Sequence, residues 1–403
     1  MSMEHVVIVG ASLAGLRAAE TLRGSDFDGR ITMIGGETHH PYDRPPLSKR
    51  LLSGEWEPDR IALRKPDQMD GLDLTWRTGA RAVGLDVESR TVLVGDGTHV
   101  EFDGLVIATG ADPRTLPGQH AHDSAHVLRT LDDSLALRAE ITDGGKRVVV
   151  IGAGFIGLEV AATARGLGNE VTVLEGAPAP LMRGLGAEMG AAVAAIHDDH
   201  GVDVRCGVSV AAIAGRHVEL ADGTTVDADV LVVGIGVGPA VDWLDGSGLT
   251  IHDGVVCGPD LGVGHDGIFA AGDVARWHNP LFDEAMRVEH WTNAAEQGAI
   301  VGSNLIAWRD GEPTRAYEPV PFFWSEQYHH RIQFLGRPAG DDEVRVVAGS
   351  VGDRKFAALY GSGGRLRGVL GLDMPRLVMP FRKHLEQRIS FDDAVDVAAE
   401  LTS

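Results

Sequence analysis

The sequence predicts an α/β protein of two Rossmann-like nucleotide-binding domains, the second inserted in the first, followed by a small α+β domain. Three observations predict it. A strand, glycine turn and helix at 5–23 recur at 147–165. Each copy is followed by a hairpin and an apolar strand that ends in another glycine-bearing turn. Beyond residue 321 the texture changes to alternating strands and a final helix.

The elements follow in order. "HVVIVGASLAGLRAAETLR" (5–23) opens with an apolar, β-branched run suited to a buried parallel strand and continues with small residues at helical spacing. "RITMIGGE" supplies the next strand, so the segment predicts a βαβ unit with a right-handed crossover. "TVLVGDGTHVEFDGLVIATG" (91–110) predicts a hairpin with an Asp-Gly turn, then a strand ending at Ala108, Thr109 and Gly110. The second set repeats this order: "RVVVIGAGFIGLEVAATAR", then "EVTVLEG", then "HVELADGTTVDADVLVVGIG" ending at Gly234, Ile235 and Gly236. The chain returns to the first domain near "GIFAAGDVA" and meets a proline-marked boundary at "EPTRAYEPVPFFW". The expected division is 1–110 and 241–318 for the first domain, 111–240 for the inserted one and 319–403 for the last.

At 403 residues the chain is too long for one ordinary core. Hydrophobic residues at 44% and charged residues at 23% point to a globular protein rather than a disordered or fibrous one. The two cysteines, Cys206 and Cys257, form no Cys-x-x-Cys pair, which argues against a disulfide framework, a zinc site or a dithiol motif and for buried structural thiols. No basic leader opens the sequence and no apolar run reaches membrane-spanning length, so a cytoplasmic location is expected. A formal charge of −22 argues against nucleic acid or an anionic membrane as partner. The excess is uneven: residues 321–403 hold 11 basic and 11 acidic side chains, whereas residues 1–320 hold 25 against 47. An acidic partner is repelled least by the last domain.

In a Gly-x-Gly-x-x-Gly turn the first glycine permits the bend, the second admits pyrophosphate and the third lets helix and strand pack closely. Gly10 and Gly15 keep the first and third roles, while Ser12 holds the second with a small side chain and a hydroxyl that can donate to phosphate. Taken alone, such an imperfect motif also fits a tight turn in an unrelated α/β protein. The second copy, Gly152, Gly154 and Gly157, is complete. Glu175 follows Gly152 by 23 residues, at the end of the next strand, where an acidic group bonds a ribose hydroxyl and repels a 2′-phosphate. NADH is therefore favoured over NADPH, with Arg183 the nearby cation that could relax the preference. Glu37 takes the matching place in the first copy. Leu13, Ala14, Phe155 and Ile156 complete the two loops. Two dinucleotide sites in one chain imply electron traffic between them, and FAD with NAD is the sensible pair.

Seven stretches carry a closer resemblance: "PYDRPPLSK" (41–49), "LVIATGADPRTLP" (105–117), "VLRTLDD" (127–133), "GAGFIGLEVAATA" (152–164), "GIFAAGDVA" (267–275), "RVEHWTNAAEQG" (287–298) and "PFFWSEQY" (321–328). In this order they resemble the FAD- and NADH-dependent ferredoxin reductases of bacterial oxygenase systems, which are similar in fold to glutathione reductase. The resemblance implies that Asp273, after Gly272, bonds the flavin ribitol and that Trp291 begins a helix facing the flavin pyrimidine. A helix N-terminus there would stabilise reduced flavin. It further implies that Arg44 and Arg129 lie near FAD and that Val83 contacts adenine through its backbone. Lys49 and Glu159 correspond to an ion pair beside the reactive edge of the flavin, and Trp324 to an aromatic residue on the ferredoxin side. For Asp273 a helix N-cap, for Glu159 a solvated charge and for Trp324 core packing are the plain alternatives. Ser12, Gly36 and Asp112 depart from the family pattern.

The activity so implied is transfer of electrons from NADH through FAD to a two-iron, two-sulfur ferredoxin that serves a haem monooxygenase or a ring-hydroxylating dioxygenase. No metal site is expected in this chain. Disulfide reductase and flavin peroxidase chemistry both require sulfur next to flavin, which the two isolated cysteines do not supply. A rubredoxin reductase and a nicotinamide-sensing flavoprotein whose reduction changes partner binding are the alternatives. Arg331, Arg337, Arg382, Lys383 and Arg388 are candidates for ferredoxin docking, each also readable as solvated surface charge. The oligomeric state, monomer or homodimer, stays open.

Overall fold

Both glycine turns are followed by helices that the sequence places behind a parallel sheet, and the computed structural model, which describes residues 3–339 and 341–402, has this arrangement twice. The chain forms two compact units. The first comprises 1–43, 61–112 and 238–321, and the second 44–60, 113–237 and 322–403.

In the first unit five parallel strands run in the order Ile268–Ala270, Gly104–Ile107, His5–Val9, Arg30–Ile34 and Leu74–Arg77. The helix Leu13–Gly24 crosses from the third to the fourth. A meander of Ala82–Asp86, Thr91–Val94 and His99–Glu101 precedes the strand Gly104–Ile107. The long helix Trp291–Asp310 packs on Leu13–Gly24 with almost no side chain between them. A Cβ on Gly298 would lie 2.3 Å from the carbonyl oxygen of Ala14, and one on Gly302 would lie 2.9 Å from that of Ala18. Glycine at that four-residue spacing brings the two backbones into contact.

The second unit repeats the plan with Asp203–Cys206, Glu170–Glu175, Arg147–Ile151, Val230–Val233 and Ala125–His126, again all parallel. Its apolar strands are buried on both faces for a reason legible residue by residue. Val148, Val150, Val171, Val173, Val230 and Val232 face the helices Phe155–Gly166 and Met182–Asp199. Val149, Ile151, Leu174, Leu231 and Val233 face Ile213, Val218 and Leu220 of a three-stranded meander. Alternation of side chains across the pleat thus fills two different interfaces with one apolar run.

The last segment is a five-stranded antiparallel sheet, ordered Phe322–Gln327, His330–Gly336, Arg365–Leu372, Lys355–Ser362 and Glu343–Ser350, with the helix Phe391–Thr402 beside it. Ile332, Phe334, Phe356, Tyr360 and Leu370 share one core with Val148, Leu158 and Ile196. The segment 44–60 joins the same body: Leu52 enters that core, and the carbonyl oxygens of Leu47 and Ser48 accept hydrogen bonds from Ser134 Oγ and Thr163 Oγ1 at 2.7 Å each.

Candidate functional site

Each glycine turn is built the same way. The Gly10 amide donates to Ile34 and the Gly152 amide to Leu174, both at 2.8 Å. Both glycines have left-handed φ, +122° and +105°. A Cβ on Gly10 would lie 2.0 Å from the Ala108 carbonyl oxygen, and one on Gly152 would lie 2.4 Å from that of Gly234. The two strand-ending turns anticipated at 108–110 and 234–236 are therefore the walls against which the loops close. The third glycines are fixed by the loop itself, since a Cβ on Gly15 or Gly157 would lie 2.0 or 2.1 Å from the carbonyl oxygen of Gly10 or Gly152.

The middle position differs. Gly154 has an ordinary extended backbone, φ −77°, and a Cβ there would meet nothing within 4 Å. Ser12 has φ −130°, and its hydroxyl does not cap the helix that follows. Glycine is thus not required for conformation at this position, and serine fits without strain. Open space beside Gly154, at the first turn of the second helix, suits an anionic group.

In the first unit three elements meet at the loop. A Cβ on Gly272, φ +80°, would lie 3.2 Å from Ala14 Cβ and 3.8 Å from Ala294 Cβ. The Gly272 amide donates to Gln297 Oε1 at 2.8 Å. Gln297 is fully buried, yet its Nε2 has no protein acceptor. A buried donor without a partner is costly, and its position beside the loop and the Ala-Gly-Asp turn fits a bound acceptor. The dinucleotide expected in the first unit therefore fits the residues present. Asp273 lies inside the short turn Gly272–Val274, whose N-cap is Ala271, so the helix N-cap alternative does not hold for it. Its carbonyl oxygen accepts from Arg287 at 3.0 Å. Trp291 starts its helix and donates from Nε1 to Asp43 Oδ1 at 2.7 Å. Glu37 accepts from the buried Tyr42 hydroxyl. Thr109 Oγ1 bonds the Ala240 carbonyl oxygen at 2.8 Å, Gly110 has φ +72°, and Val83 is half exposed on its strand. Gly36 faces Arg81, whose Cγ a Cβ would approach to 2.7 Å, and Arg81 reaches toward Asp112 at 3.9 Å. Gly36 and Asp112, two of the three departures from the family pattern, thus flank one arginine.

In the second unit Glu175 is tied down at both oxygens. Oε2 accepts from the Ala153 amide at 2.7 Å and Oε1 from the Ala177 amide at 2.8 Å. The carboxylate is held at the mouth of the loop with lone pairs to spare for a ribose. Arg183 is exposed, on a helix kinked at Gly186. Ile156 is exposed on the first turn after Gly154, while Phe155 packs edge-on against Phe323 at 4.8 Å. Gly236 has φ +98° and its carbonyl oxygen accepts the Arg114 amide.

Lys49 and Glu159 meet in this unit, although 110 residues separate them. Lys49 Nζ lies 2.8 Å from Glu159 Oε2, and Glu159 is only 3% exposed. Two hydroxyls complete the carboxylate shell: Ser48 Oγ donates to Oε2 at 2.5 Å and Ser325 Oγ to Oε1 at 2.6 Å. The solvated-charge alternative for Glu159 is thereby removed. Sequence reasoning missed Ser48, Ser325 and Gln327. A signal existed in "FFWSEQY", where the two-residue period of a strand puts Ser325 and Gln327 on one face with Phe323, so that both had to meet polar partners if that face is buried. Nearby, Arg44 donates to the Arg129 carbonyl oxygen, and the Arg129 amide bonds Asp133 Oδ2 at 3.0 Å. Trp324 stacks on Phe322 at 6.2 Å on the opposite face of the strand from Ser325. Of the docking candidates Arg331, Lys383 and Arg388 are exposed, and Arg337 and Arg382 are half-buried.

Both cysteines are free thiols. Burial pushes Cys257 up to about 12, and burial with the nearby Glu175 and Asp198 raises Cys206, which is half-buried rather than buried. Both shifts disfavour the thiolate, the nucleophilic form. Among the described residues no cluster of His, Cys, Asp and Glu could hold a metal ion, and no helix is long and apolar enough to cross a membrane.

Residues 4–298 match the pyridine nucleotide-disulphide oxidoreductase family and residues 322–402 the reductase C-terminal family. The chain is 40% identical over 370 residues to the ferredoxin–NAD(+) reductase component of the anthranilate 1,2-dioxygenase system of Burkholderia cepacia, with 90% of this chain and 89% of that one covered. It is 37% identical to rhodocoxin reductase of Rhodococcus erythropolis, covering 98% and 93%. Among solved structures it is similar to the reductase in the covalent putidaredoxin reductase–putidaredoxin complex, with a TM-score of 0.92, 32% identity and coverage of 99% and 97%.

Proposed function

Since the chain belongs to the pyridine nucleotide-disulphide oxidoreductase family and its residues 322–402 match the reductase C-terminal family, we propose that it is the ferredoxin–NAD(+) reductase of an oxygenase system. It takes electrons from NADH and passes them through FAD to a 2Fe-2S ferredoxin that feeds a haem monooxygenase or a ring-hydroxylating dioxygenase. One observation carries this reading: two glycine loops of the same construction close against equivalent walls in two equivalent sheets, so the chain has two dinucleotide sites and no thiol pair for a disulfide acceptor.

FAD, when bound, supplies the step from a two-electron donor to one-electron acceptors. The chain's residues hold and orient. Gly10, Ser12, Leu13, Ala14 and Gly15 cradle the FAD pyrophosphate, and Glu37 takes the adenosine ribose beside the backbone at Val83. Ala108, Thr109, Gly110, Gly272, Asp273 and the helix beginning at Trp291 complete that site, and Arg44 and Arg129 are further candidates for binding FAD. Gly152, Gly154, Phe155, Ile156 and Gly157, with Gly236, take NADH; Glu175 selects against a 2′-phosphate, and Arg183 borders the same site. Lys49 and Glu159 position the reacting rings, and Trp324 covers the side from which electrons leave. The domains are 1–110 with 241–318 for FAD, 111–240 for NADH and 319–403 for the C-terminal part. Arg331, Arg337, Arg382, Lys383 and Arg388 receive the acidic face of the ferredoxin. The setting is the cytoplasm.

Rapid-mixing spectroscopy tests the reading. NADH should bleach the bound flavin quickly, and a 2Fe-2S ferredoxin should then be reduced at a matching rate. A long-lived charge-transfer complex with negligible carrier turnover would point to the nicotinamide-sensing alternative.

A further inference from the structure

The strand Phe322–Gln327 turns Phe323, Ser325 and Gln327 toward one side, and the last two are buried. From Glu159 outward the hydrogen bonds form an unbroken series. Ser325 Oγ lies 2.6 Å from Glu159 Oε1, Gln327 Nε2 lies 3.2 Å from Ser325 Oγ, His197 Nε2 lies 2.9 Å from Gln327 Oε1, and the Tyr328 hydroxyl lies 3.1 Å from His197 Nδ1. We propose that this series is a one-directional chain of donors that fixes the orientation of the Glu159 carboxylate and so holds Lys49 in place, making Ser325 and Gln327 positioning residues. The proposal rests on the role given to Lys49 and Glu159 above.

The direction follows from counting protons. An ionised carboxylate only accepts, so the single Ser325 proton points at Glu159. The Ser325 oxygen must then accept, which places the amide nitrogen of Gln327 toward it and the amide oxygen toward His197. His197 Nε2 must carry a proton, and in a neutral ring Nδ1 is then an acceptor, which the Tyr328 hydroxyl satisfies. Every hydrogen bond is aimed at the carboxylate. Burial holds His197 down at about 4, so the ring is neutral and has one tautomer in this chain. Aligned donors polarise one another and strengthen the last bond of the series.

A second observation is independent of the hydrogen bonds. Tyr328 opens the two-residue turn between Phe322–Gln327 and His330–Gly336 with φ +56°, where glycine or asparagine is usual. The tyrosine is held there by stacking on His200, with ring centroids 3.6 Å apart and planes 9° from parallel. A strained backbone that delivers the hydroxyl to His197 is accounted for if the chain has a role.

Among the described residues no second ion pair with Glu159 is present. Lys49 is the cation bonded to it. On the strands beneath its helix, Arg147 is engaged by Asp227 and Asp229, Glu175 by the amides of Ala153 and Ala177, and Glu170 is exposed. On the strand Phe322–Gln327, Glu326 alternates with Ser325 and Gln327 and faces the other side.

The test is the infrared carboxylate-stretching band of Glu159 in the FAD-loaded protein at neutral pH, with E159Q assigning the band. S325T, which keeps a hydroxyl, should show the band at the parent's frequency. In S325A, which loses the donor to Oε1, the band should move, and in Q327L it should move less. Flavin reduction by NADH in S325A should fall about tenfold, with an unchanged KM for NADH and recovery in S325T. Superimposable bands in parent, S325A and Q327L, each retaining FAD, would overturn the proposal. If NADH fails to reduce the parent's flavin the functional reading falls instead, while the infrared shift still decides the chain.

Discussion

Gly152 and Gly234 touch backbone to backbone: a Cβ on the first would stand 2.4 Å from the carbonyl oxygen of the second, in the same relation that Gly10 bears to Ala108. The glycines of one loop are therefore not equivalent in what they do. Gly157 is fixed by the Gly152 carbonyl oxygen, whereas Gly154 has room on every side. Gly157→Ala should destabilise the second unit by roughly 3 kcal/mol through overpacking. Gly154→Ala should leave the melting curve within ~0.5 kcal/mol of the parent and raise the KM for NADH. Denaturation and steady-state kinetics on the two variants separate these outcomes.

Glu175 reaches two amides of the loop region as well as the place where a ribose would lie. Glu175→Ala removes both hydrogen bonds and the negative charge. Each charge-assisted bond contributes about 1.5–3 kcal/mol, so the KM for NADH should rise at least about tenfold. The ratio of NADH to NADPH activity should fall, and kinetics with the two coenzymes measure both effects.

Lys49 and Glu159 are coupled unequally. Lys49→Ala leaves a buried carboxylate with only two hydroxyl donors, which should cost on the order of 3 kcal/mol. Glu159→Gln leaves a cation that can reach water, and the loss should be smaller. Chemical denaturation of both variants should rank them in that order.

His197 sets a pH dependence of defined sign. Burial lowers its folded value to about 4 from an ordinary 6.5. The unfolded chain therefore binds the extra proton first as pH falls, and stability declines through the window from 6.5 to 4, by about 3 kcal/mol in total. His5, also lowered by burial, acts in the same direction. His197→Asn should flatten the slope between pH 6.5 and 4 and leave the decline at lower pH, which belongs to carboxylates such as Asp227 and Asp229 whose bonds to Arg147 and His217 hold them below their usual range. Unfolding free energies measured against pH for parent and variant give the comparison.

Charge reversal at Arg331, Arg337, Arg382, Lys383 and Arg388 together should lower ferredoxin reduction, most strongly at low ionic strength, and leave NADH oxidation by a small dye intact. Equal loss in both assays would reject this docking surface.

The two nucleotide modules were legible because each is specified locally: a β-branched run, a glycine turn and small helical residues fall within about twenty positions of one another. The walls of the loops at 108–110 and 234–236 were legible because the sequence repeats them. The shell of Glu159 was not. Ser48 lies 111 residues before it and Ser325 lies 166 after it, and no spacing rule spans such distances. The excursion of 44–60 into the second unit was hidden for the same reason, since its anchors at Ser134 and Thr163 are read only once the sheets have formed. Gln297 looked like any helix glutamine, and burial alone distinguishes it.

The seam of Gly298 and Gly302 against Ala14 and Ala18 also bears on how the protein is made. An early helix rests on one encoded almost three hundred residues later, and the outer strand Ile268–Ala270 of the same sheet is nearly as late. Translation at about 5–20 residues per second leaves that N-terminal helix waiting many seconds for its partner. The second unit likewise takes core side chains from Ile332 to Leu372. Neither body can close on the ribosome until these later segments have been made, so a nascent chain stalled before residue 290 should remain susceptible to protease in its first βαβ segment.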